Sequence, residues 1–136
     1  MFQILVLYLV TAGVFLALDA VMLSTVMKPL FEAHVADLMA DRLRLGPAAV
    51  FYLFYVAGLL WLVSVPALRD GAPLRALLGG AVLGAVAYGT YEVTNLATLR
   101  GWSWRMVAAD VAWGTLLTAI SAWAGVVAAR AMGGQP

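Results

Sequence analysis

The chain has 136 residues, of which 65% are hydrophobic and 11% are charged, with a mean hydropathy of +0.97. A soluble domain is about half apolar and about a quarter charged, so this composition excludes a soluble globular domain and a disordered chain. The lack of cysteine excludes a disulfide-stapled secreted module, and a net charge of +1 excludes nucleic acid as a partner. The sequence therefore predicts a single integral membrane domain over residues 1–136.

Four runs are long and apolar enough to cross a bilayer as helices, which takes about 20 residues each. They cover residues 2–27, 47–68, 74–99 and 106–129. Prolines and charged residues mark their ends, as at Lys28-Pro29 after the first run. The first run is interpreted as a permanent span, because it is too long for a cleaved signal peptide and no Lys or Arg precedes Lys28.

The one long connection, between the first and second runs, is charged but keeps apolar residues at helical spacing. These are Phe31, Val35, Leu38 and Leu45. The pattern predicts an amphipathic helix on the membrane surface over residues 29–45, with a solvated loop as the alternative. The predicted fold class is all-α: a four-helix transmembrane bundle with an interfacial amphipathic helix between spans one and two. Orientation stays open, because five cations fall on one side and three on the other.

Three acids fall inside the predicted spans, where an ionisable side chain is costly and points to a functional site. They are Asp19 in the first span, Glu92 in the third and Asp110 in the fourth. If the spans alternate in direction, the span ends that carry these acids share one side of the membrane. Each acid then lies within about two or three turns of that interface. All three carboxyl groups are therefore expected in one leaflet.

Other polar and aromatic residues fall in the same layer. Several of them recur on one face of the third span, and others lie near the start of the second and fourth spans. The predicted ligand-binding residues are Asp19, Tyr52, Tyr88, Glu92, Asn95, Asp110 and Trp113. The alternative is structural: the acids pair with Arg100 and Arg105, and the tryptophans, including Trp102 and Trp104, anchor the bundle at the interface.

The cluster favours binding or proton exchange, since carboxyl groups crowded in a low dielectric suit both. No HExxH motif, nucleophile elbow, phosphate-binding loop or dinucleotide fingerprint is present. No catalytic residue or metal site is therefore predicted, the cofactor is left unidentified, and whether the protein is an enzyme stays open. The expected function is binding of a small polar or amphiphilic, lipid-like ligand in a carboxylate-lined pocket, with membrane lipid as the partner.

Two other functions stay open. An acid in the first span, followed by Met27-Lys28, resembles the pattern of the small multidrug resistance transporters, in which a first-span acid exchanges protons. This likeness suggests a proton-coupled small-molecule transporter acting as a dimer. Alternatively, Gly80 and Gly84 form a GxxxG pair, which predicts an accessory subunit that docks on a larger membrane complex through this face.

The chain as a whole also resembles a known family. The string AYGTYEVTNLATL over residues 87–99, then Trp102-Ser103, then DVAWG over residues 110–114, is similar to the bacterial family of small predicted membrane proteins catalogued as domain of unknown function 2177. Asp19 and the string FYLFY over residues 51–55 fit the same pattern, so the resemblance covers nearly the whole chain. It implies a multi-pass, four-helix protein of the bacterial inner membrane. It implies no catalytic role, because the family is named for its lack of an assigned activity.

Overall fold

The computed structural model describes residues 2–42 and 44–133. All regular structure in these residues is helical, and four helical runs are long and apolar enough to cross a membrane. The runs are Phe2–Leu38, Leu45–Arg69, Pro73–Thr98 and Trp104–Gly133. The predicted all-α, four-helix transmembrane bundle is confirmed.

The first two runs are composite, whereas the last two are single α-helices. The first run consists of α1 (Phe2–Met22), a π-helical turn (Leu23–Met27), α2 (Lys28–Val35) and a 3-10 turn (Ala36–Leu38). The second consists of α3 (Leu45–Leu59), a π-helical turn (Leu60–Ser64) and α4 (Val65–Arg69). The third and fourth are α5 (Pro73–Thr98) and α6 (Trp104–Gly133).

Each π-helical turn lies just before a proline inside a helical run, Pro29 in the first and Pro66 in the second. Proline lacks a backbone N–H, and in an α-helix its ring collides with the carbonyl group four residues earlier. In the first π-helical turn the amide of Lys28 donates to the carbonyl of Leu23, five residues back, which widens the helix ahead of the proline. The chain is therefore helical through Lys28-Pro29, where the sequence predicted the first span to end.

The predicted surface helix over residues 29–45 is shorter in the structure. Helix continues only to Leu38, and residues 39–42 and 44 are not helical. The next helix begins at Leu45, with Pro47 in its first turn, where the fixed φ of proline favours helix. The chain has to fold back between α1 and α3, and a surface helix that reached residue 45 would leave no residues for this turn.

Helix α6 is the central helix and makes its most extensive contacts with α5 and α1. A Cβ atom at Gly84 would collide with the carbonyl oxygen of Gly114, and one at Gly80 would lie 2.8 Å from the carbonyl oxygen of Thr118. The GxxxG pair therefore packs against α6 of the same chain. Helix α6 covers this face in the structure, and docking of the protein on a larger membrane complex stays a prediction.

The two halves of α3 pack differently against α1, α5 and α6. Val56 and Leu59 in its second half are fully buried and belong to an apolar core that includes residues of α1 and α6. From Leu45 to Phe54, in contrast, every side chain is exposed except that of Tyr52, which is half-buried. The amino-terminal half of α3 therefore stands away from the bundle and leaves a space beside α1 and α5.

The close approach of α5 and α6 can be tested at Gly84. Gly84→Ala should lower the free energy of unfolding by about 1–3 kcal/mol, because the added methyl group forces the two helices apart. Unfolding of the purified protein by denaturing detergent in mixed micelles measures this change. The matched control is Gly89→Ala, in the same helix, where an added Cβ meets no atom within 4 Å. An equal loss in both variants would contradict the close packing.

Candidate ligand-binding site

A cavity of about 520 Å³ occupies the space between the amino-terminal half of α3 and the rest of the bundle. All four helical runs contribute to its wall. Its polar lining residues are Asp19 from α1, Tyr52 and Tyr55 from α3, Tyr88 and Tyr91 from α5, and Asp110 from α6. Its apolar lining residues are Leu23, Met27, Phe31, Ala48, Phe51 and Ala87. The cavity therefore combines carboxyl and phenol groups with an apolar wall.

Asp19 is held in place by an indole N–H group. Trp113 lies one turn after Asp110 in α6, and its Nε1 donates a hydrogen bond to Oδ1 of Asp19 at 3.2 Å. The side chain of Tyr52 lines the same cavity as this carboxylate. The indole is neutral, and no cation of the described residues forms a salt bridge with Asp19.

Glu92 is fully buried behind the cavity wall and is held in a similar way. Its Oε1 accepts a hydrogen bond of 2.9 Å from Nε1 of Trp102, and its Oε2 has no donor among the described residues. The Trp102 ring packs edge-on against Phe31 of α2 and Tyr91 of α5, with centroid distances of 5.2 and 6.0 Å. Trp102 therefore joins Glu92 to two residues of the cavity wall.

The loop between α5 and α6 places Trp102 over Glu92 through two local features. Gly101 has a φ of +80°, which favours glycine, and a Cβ there would lie 2.9 Å from the carbonyl oxygen of His34 in α2. Ser103 Oγ then accepts a hydrogen bond of 3.3 Å from the amide of Met106, which caps the first turn of α6. The loop can therefore lie close against α2, and α6 begins directly after Ser103.

Asp110 is the least satisfied of the three acids. It is 9% exposed and lines the cavity, and within residues 2–42 and 44–133 no N–H or O–H group donates a hydrogen bond to it. The carboxyl groups of Glu92 and Asp19 both lie near that of Asp110.

The structure does not show the predicted alternative in which Arg100 and Arg105 pair with the acids. Both arginines are exposed, and the one salt bridge within the described part of the chain joins Arg75 and Asp70. In that same part, no group of three His, Cys, Asp or Glu side chains is placed to hold a metal ion.

Only some of the predicted site residues line the cavity. Asp19, Tyr52, Tyr88 and Asp110 line it, whereas Glu92 and Trp113 lie behind the wall and contact acids that line it. Asn95 is not among the lining residues. It is half-buried, and its side chain lies beside the hydroxyl group of Tyr91.

Sequence reasoning missed the role of Trp102, which it placed among the interfacial anchors. Trp61 and Trp104 are highly exposed and fit that interpretation. Trp102, in contrast, is half-buried and donates a hydrogen bond to Glu92. The sequence carries no signal for this contact, because it depends on the turn at Gly101.

A comparison with protein families gives one match. A family model described as "Predicted membrane protein (DUF2177)" matches residues 4–127. A search of curated proteins and a search of solved structures each give no match. The matched region contains every residue of the cavity wall as well as Glu92, Trp102 and Trp113.

The hydrogen bond between Trp102 and Glu92 can be tested by Trp102→Phe. This substitution keeps a ring between Phe31 and Tyr91 but removes the N–H donor from a fully buried carboxyl group. The free energy of unfolding should fall by about 1–3 kcal/mol, as measured by detergent titration. Trp104→Phe, at an indole that is 71% exposed, is the control and should have little effect. Equal effects of the two substitutions would exclude a structural role for this bond.

Proposed function

The chain belongs to the DUF2177 family of predicted membrane proteins, and we propose that this multi-pass membrane protein binds a small polar or amphiphilic, lipid-like ligand in the cavity beside α3. We place it in the bacterial inner membrane. The observation that carries the proposal is the cavity itself, whose volume of about 520 Å³ falls in the range of ligand pockets, about 300–1,000 Å³.

The polar groups of the cavity support a binding role. Ionisable residues inside membrane spans are rare and mark functional sites by default. Indole donors hold Asp19 and Glu92, whereas the carboxyl group of Asp110 lines the cavity without a donor from the described residues. A partly satisfied polar network in a low dielectric is costly, so a ligand that donates to Asp110 would stabilise it.

The shape of the cavity supports an amphiphilic ligand. Ala48 and Phe51, two of its lining residues on α3, are exposed, so the cavity is open on this side. A molecule dissolved in the bilayer can therefore reach the cavity beside α3, with its polar head towards Asp110 and its apolar part along Phe51 and Leu23. Membrane lipid is the class of partner that fits this route.

A second candidate function is proton-coupled transport by a dimer, and the proximity of Glu92 to Asp110 favours it. Two carboxyl groups can share a hydrogen bond only if one carries a proton. A ligand that pairs with Asp110 would compete with that proton, which couples ligand binding to proton release. Four helices are too few to enclose a path alone, so transport requires a second copy. Ligand accumulation in proteoliposomes driven by a pH gradient would distinguish transport from binding.

Native mass spectrometry of protein purified in a mild detergent tests the binding function. Wild type should carry a bound mass, and Asp110→Asn and Asp19→Asn should each lose most of it, because asparagine keeps the size of the side chain but not its charge. Asp37→Asn is the control, since Asp37 is an exposed acid on the segment after α2 and does not line the cavity.

A melting curve of each variant accompanies the mass spectra. Loss of the bound mass from variants that melt like wild type supports the proposed function. A wild type with no bound mass, or a bound mass that the two cavity variants retain, would contradict it. Variants that unfold at the melting step would show that the acids hold the bundle together.

A further inference from the structure

We propose that the ligand carries an organic ammonium group, primary or quaternary, on an apolar body. This inference rests on the proposed function and specifies the ligand class of the same cavity. It is argued from the charges around the cavity, from the aromatic rings in its wall and from the apolar residues that complete it.

The charges around the cavity are all of one sign. Asp19 and Asp110 line it, Glu92 lies directly behind Asp110, and none of the three forms a salt bridge within the described residues. Among the described residues of the wall, none is Lys, Arg or His. Clefts lined by one sign of charge and bounded by low-dielectric walls concentrate ions of the opposite sign. A phosphate or carboxylate would be repelled here, whereas a cation would be attracted.

Asp110 supplies the point of attachment. It is nine-tenths buried, lies in the cavity wall and accepts no hydrogen bond from an N–H or O–H donor of the described part of the chain. An ammonium group can donate hydrogen bonds to this carboxylate if it is primary, and can form an ion pair with it if it is quaternary. In either form it would pair with a carboxyl group that no cation of the described residues contacts.

The rings in the wall favour an organic cation over a hydrated metal ion. Tyr52, Tyr55 and Tyr88 stand together, and the rings of Tyr55 and Tyr88 meet edge to face at 82° with centroids 6.4 Å apart. The hydroxyl group of Tyr55 is fixed 3.0 Å from Oγ1 of Thr118, which holds its ring in place. Aromatic faces attract ammonium groups, and grouped aromatic rings are a recurring site for quaternary ammonium ligands.

The remaining wall fits an apolar body attached to the ammonium group. Leu23, Met27, Ala48, Phe51 and Ala87 line the cavity beside the tyrosines. An alkyl chain can pack against these apolar side chains. The ligand class that satisfies the acids, the rings and the apolar wall together is a lipophilic amine or an amphiphile with an ammonium head.

Three probes with a linear six-carbon chain test the inference: hexyltrimethylammonium, hexanol and hexanoate, in which the carboxyl carbon is the sixth. Their dissociation constants are measured by isothermal titration calorimetry on the whole chain in an uncharged maltoside detergent. The ammonium probe should bind at least about tenfold more tightly than hexanol, and hexanoate should bind most weakly. Asp110→Asn should raise the dissociation constant of the ammonium probe by about tenfold and change that of hexanol by no more than about twofold. Asp37→Asn should change neither.

Each outcome of this experiment decides the inference. Equal affinities of the three probes would overturn it but leave a cavity that binds ligands, so the proposed function would survive. Displacement of hexyltrimethylammonium by millimolar magnesium, at an ionic strength kept constant with sodium chloride, would also overturn it and point to a metal. Absence of binding by all three would overturn it, and the bound mass in native mass spectrometry would then decide the proposed function separately. If Asp110→Asn fails to fold, the order of the three probe affinities on wild type still tests the inference, because it needs no variant.

Discussion

A carboxyl group inside a membrane-spanning helix has to be satisfied by the protein around it, and the way this chain does so governs its site. Two of the three acids accept a hydrogen bond from an indole N–H group instead of pairing with a cation of the described residues: Trp113 donates to Asp19, and Trp102 donates to Oε1 of Glu92. Asp110 receives no such donor from the described residues and lines the cavity. The three acids therefore differ in their hydrogen-bond donors: Asp19 and Glu92 each have an indole partner, whereas Asp110 is available to a ligand.

The packing of the helices produces this difference between the surroundings of the three acids. Because Gly84 and Gly114 let α5 and α6 approach closely, Glu92 and Asp110 come to lie side by side. Helix continues past Pro29 through a π-helical turn, which lets Phe31 reach the ring that covers Glu92. The amino-terminal half of α3 stands apart from this tightly packed group, and the cavity is the space that it leaves. One part of the bundle is therefore closed by glycine contacts, and the other stays open for a ligand.

The sequence predicted the fold class and the acids of the site because both follow from simple geometry. Hydrophobic length defines the spans, alternation of direction puts the ends that carry Asp19, Glu92 and Asp110 on one side, and the rise per residue fixes their depth. Tyr52 and Tyr88, which the sequence predicted as ligand-binding residues, line the cavity, and their binding role stays a prediction.

What the sequence did not predict depends on helix rotation and on loop geometry, which hydropathy does not encode. Trp102 reaches Glu92 only through the left-handed turn at Gly101, and Asn95 shares a predicted stripe with Tyr88 yet lies outside the cavity wall. The predicted end of the surface helix was wrong because the hydrophobic spacing continues to Leu45, whereas the chain needs those residues to fold back.

The central claim is that the described residues give Asp110 neither a cation nor an N–H donor, so that it can hold a ligand. A crystal structure of the protein grown from a lipid phase tests this most directly. The account predicts electron density for a bound molecule against Asp110 and Tyr88, with the two indole bonds to Asp19 and Glu92 intact. A closed cavity in which Asp110 pairs with an arginine or lysine of the chain would contradict it.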